Sequence, residues 1–133
     1  MEPTTVLPAI ALLSLVTVES GGWALLGFIT KRRGTLEPFR EQFFRAGHAH
    51  AGVLLVMSLA AFAFFDRADL SEGAQWLLGF VLLAGVLAQS GGFFVHLIVG
   101  QEGQVSLGTK LTRAGGIVLA VPLVRLAVAL LTA

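Results

Sequence analysis

Residues 74–100, AQWLLGFVLLAGVLAQSGGFFVHLIVG, contain no Asp, Glu, Lys or Arg. At a rise of about 1.5 Å per residue, a helix of this length crosses a hydrocarbon core about 30 Å thick. The run is continuously apolar rather than alternating, and the chain has too few such runs to close a barrel, so it reads as a transmembrane helix. Further apolar stretches lie on either side of it, over about 7–30, 44–65 and 112–132. The expected fold class is all-α: an integral membrane four-helix bundle, with 1–133 a single transmembrane domain.

Composition agrees. Charged residues make up 13% of the chain and hydrophobic residues 56%, with a mean hydropathy of +0.85. A soluble domain carries about 25% charged residues, and this chain lacks the polar surface one would need. The net charge of +1, with no basic stripe interleaved with aromatics, excludes a nucleic-acid binder. With no cysteine, disulfide scaffolds, thiolate metal sites and iron–sulfur clusters are excluded as well. No nucleotide loop, nucleophile–base pair or zinc-hydrolase motif appears, so no enzyme class follows.

The charges cluster between the apolar runs, at 31–45, 66–72 and 102–113, leaving Glu2, Glu19 and Arg125 apart. Lys31, Arg32, Arg33, Arg40 and Arg45 crowd the first connection, and Lys110 and Arg113 mark the third. The middle connection sets Arg67 against Asp66, Asp69 and Glu72. Lysine and arginine stay on the cytoplasmic side, which puts both termini outside. Residues 7–30 lack the basic start and small-residue cleavage site of a signal peptide and are expected to stay in the mature protein. Size and the lack of a targeting segment point to the cytoplasmic membrane of a prokaryote. Asp69 and Glu72 read as a capping box opening the third helix, with Trp76 in the outer interfacial belt. Pro38 suits a first helical turn, so an amphipathic piece, Phe39 to Arg45, is expected to lead into the second helix.

The halves of the chain resemble one another. Leu12, Leu13, Val16 and Ser20-Gly21-Gly22 recur seventy positions later as Leu82, Leu83, Val86 and Ser90-Gly91-Gly92, and Arg45-Ala46-Gly47 recurs as Arg113-Ala114-Gly115. Two tandem parallel-repeat hairpins, about 7–66 and 74–133, are expected, related by a pseudo-two-fold axis along the membrane normal. Glu19 then corresponds to Gln89, and His48 to Gly116. Glycines at these positions let helix backbones approach closely.

Ionisable groups inside a membrane span are costly, and function is the first reason to look for. Glu19, His48, His50, His96 and Arg125 are the candidates, with Gln89, Ser20 and Ser90 as polar support. Counting along each run puts Glu19 about 16 Å and Arg125 about 12 Å from the outer side, so an intramembrane ion pair between them is expected. The three histidines fall in one inner-leaflet layer. His48 and His50 are about 200° apart around a helix and cannot serve one centre, so His48 is expected to face His96. Opposed imidazoles would suit axial ligation of haem or binding of a transition metal, with His50 as a further candidate ligand. The leading expectation is a small membrane protein with a redox or metal-handling role. Alternatives are an oligomeric proton-coupled transporter or channel, and an accessory subunit of a larger membrane complex. The lipid bilayer is the expected partner, with a homo-oligomer or larger membrane complex also in view.

Overall fold

The computed structural model describes residues 1–31 and 36–133 and, among them, contains helices and no strands. Four long helices run as α1 (Pro3–Lys31), α2 (Pro38–Phe62), α3 (Glu72–Val99) and α4 (Leu107–Leu131), with a short 3-10 turn over Phe65–Arg67. Each is long and apolar enough to cross a membrane. Arg32 and Arg33, two of the cations expected to set the orientation, lie outside the described residues.

Local chemistry keeps one expected helix start and moves two others. Pro38 opens α2 directly, so the amphipathic piece and the membrane-crossing piece form one helix. Ser71, rather than Asp69, caps α3, its hydroxyl accepting from Ala74 N at 3.3 Å. α4 starts at Leu107, ahead of its apolar run, because Ser106 and Thr109 form a reciprocal cap. Ser106 Oγ accepts from Gly108 N at 3.0 Å, and Thr109 Oγ1 accepts from Ser106 N at 3.0 Å.

α3 is the spine of the bundle. It packs most extensively on α4, next on α2 and more lightly on α1, while α1 rests mainly on α2. α1 and α4 share no interface of comparable extent, so the two form separate edges. The α3–α4 seam is close because glycines line it. A Cβ on Gly85 would sit 2.8 Å from the Leu119 backbone, and one on Gly92 would sit 2.5 Å from Thr112 N. Gly115 lies against the backbone of Gln89, and Gly108 against that of His96. The α1–α2 seam is looser. Gly21 and Gly22 meet the His48 ring, and Gly52 meets the side chain of Val18.

These contacts set the axial levels. The apolar core, including Leu7, Leu82, Leu126, Phe62 and Phe65, fills the end that holds both termini. There Gln75 Nε2 donates to Phe65 O and Leu70 O, each at 3.4 Å, and pins the α2–α3 connection. The opposite, basic end is closed by aromatic rings. Phe44 meets Phe94 edge-on at 5.5 Å, and Phe43 lies 6.1 Å from Phe93. Large apolar side chains cover the outside, among them Leu13, Leu87 and Ile117, each at least 71% exposed. That surface would be costly in water and is at home in lipid.

The seam sets a measurable contrast. Gly85→Leu should destabilise the bundle by about 1–3 kcal/mol through overpacking against Leu119. Gly91→Ala, with open space at its Cβ, should leave unfolding in detergent almost unchanged. Denaturant titration followed by circular dichroism compares the two.

Candidate functional site

The three histidines lie toward the basic end but turn to three different surroundings. His96, on α3, is 2% exposed. Its Nδ1 is hydrogen-bonded to Ser106 Oγ at 2.6 Å, and its ring lies 4.3 Å from the Phe43 ring and 5.4 Å from that of Phe39. Gly100 and Gly108 leave room for the ring and for the backbone that carries it. Beside it the Arg40 guanidinium donates to Leu97 O and, at 3.5 Å, to Ile98 O, binding the start of α2 to the end of α3. His96 thus sits where α2, α3 and α4 are fastened together.

His50 donates Nδ1–H to Ala46 O at 2.8 Å, one turn back on its own helix, and its ring packs 4.6 Å from Phe93 of α3. His48, on the far side of α2, lies against Gly21 and Gly22 of α1. The angle of about 200° between positions two apart therefore sends one imidazole to α3 and the other to α1. The expected opposition of His48 and His96 does not form: their neighbours are disjoint, and α2 directs His48 away from α3. Among the described residues no three His, Asp or Glu side chains converge as a metal-binding group.

Glu19 and Arg125 form no ion pair either, and their levels show why. Leu119 lies opposite Gly85, which puts Arg125, six residues further along α4, near Gly79 of α3. Gly79 meets Leu7 of α1. Glu19 lies twelve residues beyond Leu7, a separation of about 18 Å along the bundle. Counting from apolar boundaries missed this because α1 starts at Pro3 and no sequence feature marks its axial offset from α4.

Glu19 instead shares a groove with His48. A cleft of about 380 Å³ on the outer side of the α1–α2 seam is lined by Val18, Glu19, His48, Gly52 and their neighbours. Carboxylate and imidazole face the same space without forming a direct ion pair. Ser20 is exposed beside them, its hydroxyl donating to Val16 O at 3.1 Å. On the inner side of the same seam Ser90 is buried and donates to Val86 O at 2.6 Å. Ser90 lines a separate, mainly apolar cavity of about 460 Å³ between α1, α2 and α3. Gln89 approaches Gly116 at the α3–α4 seam. Sequence reasoning missed Ser106 and Phe43, although the Ser-Leu-Gly-Thr run at 106–109 carries the signature of a helix start.

Four helices of membrane-spanning length and composition, with polar side chains gathered toward one end, define a four-helix integral membrane protein. No family model, curated protein or solved structure matches the chain, so its residues carry the functional argument.

The fastening role of His96 separates it from His48. His96→Ala should cost about 2–4 kcal/mol of stability by opening a cavity between Phe39, Phe43 and Ser106. His48→Ala, at a half-exposed groove position, should cost less than about 1 kcal/mol. Denaturant unfolding of both variants in one detergent tests the ordering.

Proposed function

We propose that the chain is a membrane subunit of an oligomeric proton-coupled transporter, with the Glu19–His48 groove as its proton-exchange site. The observation carrying this reading is that a carboxylate and an imidazole line one lipid-side groove and leave a gap between them. An imidazole can both accept and give up a proton through its ring nitrogens, which is the chemistry a proton-exchange site needs. The gap has room for water to bridge them. Gly21 and Gly22 leave room for the ring against α1. The groove opens outward and one chain has too few helices to enclose a path, so other subunits must supply the missing wall.

A second reading, haem or transition-metal binding, draws on a different histidine. Because His50 gives its Nδ1 proton to Ala46 O, its Nε2 carries a lone pair, as in many metal-ligating histidines. A second ligand would have to come from another subunit, since His48 and His96 point elsewhere.

Purified protein in proteoliposomes, with an imposed pH gradient and an internal pH dye, tests both readings. Wild type should conduct protons above empty vesicles, and Glu19→Gln and His48→Ala should each lower the flux at least tenfold, while His50→Ala leaves it intact. Wild-type flux equal to that of empty vesicles removes the proton reading. A Soret band or stoichiometric metal that is lost only in His50→Ala replaces it with the second.

A further inference from the structure

The two edges of the bundle match each other. On α1, Leu12, Val16, Glu19, Trp23 and Leu26 recur at three- and four-residue spacing and are all exposed, forming one outward stripe. On α4, Lys110, Arg113, Ile117, Val121, Val124 and Val128 form another, turned away from the α3 seam. Neither Lys110 nor Arg113 has an acidic partner among the described residues, and Glu19 has no basic one.

The axial levels bring these stripes into correspondence. Gly52 lies against Val18 and Gly22 against His48, so Glu19 is level with about residue 51 of α2. Gly47 meets Phe94, which places that level near Ser90 of α3. Gln89 meets Gly115 and Gly92 meets Thr112, which carries it to Ala114 of α4, next to Arg113. The same offsets set Trp23 level with Lys110, Val16 with Ile117 and Leu12 with Val121. A carboxylate therefore stands level with a guanidinium, an indole with an ammonium, and aliphatic side chains with each other. Within one chain α1 and α4 are separate edges and cannot make these contacts.

We infer that α1 of one copy packs antiparallel on α4 of a second copy, pairing Glu19 with Arg113 and Trp23 with Lys110. Copies inserted in the same direction hold equivalent residues at equal depth, so the match is kept across the interface. The exposed carboxylate has no basic partner among the described residues of its own chain, whereas a guanidinium offers it a bidentate one. Arg125, about 18 Å away along the bundle, cannot take that place. This association deepens the proton reading, because Arg113 of the second copy would supply the missing wall and hold the Glu19 side chain in place beside His48. Its functional meaning rests on that reading; the packing does not.

The absence of cysteine makes the test direct. Differently tagged copies of Glu19→Cys and Arg113→Cys, co-expressed and treated in membranes with a short thiol-bridging reagent, should give an intermolecular adduct. Glu19→Cys with Arg125→Cys should give at least tenfold less. In detergent, Glu19→Arg alone and Arg113→Glu alone should each weaken self-association at least tenfold, and the two together should restore it. Circular dichroism checks that each variant is folded. A monomeric wild type, an adduct no stronger at Arg113 than at Arg125, or a double variant that stays dissociated overturns the inference. Arg113 then meets lipid phosphate or a different protein. Because cross-linking needs no proton flux, an intact adduct beside wild-type protein that carries no flux refutes only the proton reading.

Discussion

Backbone-to-backbone contact along the glycine seam between α3 and α4 sets the level of the other helices. Gly85 against Leu119, Gly92 against Thr112 and Gly108 against the His96 backbone leave no space for a Cβ, so the register of the two helices is set to within a fraction of a turn. In hydrocarbon such contacts carry weight, since apolar side chains gain little by leaving lipid for one another and close approach supplies the attraction instead. α2 and α1 then take their levels from α3, through Phe93 and Phe94 against Gly47 and through Leu7 against Gly79.

The two ends of the bundle are stabilised differently. Aliphatic side chains and Phe62 and Phe65 close the end with the termini, while the basic end is closed by phenylalanine rings around His50 and His96. His96 gains its place from a serine cap ten residues away, so the start of α4 and the end of α3 are coupled through one hydrogen bond. That coupling makes His96 part of the frame. His48 rests on the glycine backbone of α1 and lines the groove it shares with Glu19.

Unequal sharing of polar groups between the two hairpins gives the protein its asymmetry. The tight α3–α4 seam sets Gln89 against Gly115 and Gly116. The looser α1–α2 seam holds the imidazole and the carboxylate.

Helix number and type were legible in the amino-acid order, because four uninterrupted apolar runs of membrane length admit no other backbone that satisfies its hydrogen bonds in lipid. The spacing of His48 and His50 also excluded a shared target before any coordinates. Depth and facing were not legible. Arg125 counts as level with Glu19 from the chain ends yet lies about 18 Å away, and His48 turns to α1 rather than to His96. Tertiary structure alone decided which polar groups share a groove. A helix apolar on all sides has no hydrophobic preference for one rotation or one offset, and those were set by where glycine let two backbones touch.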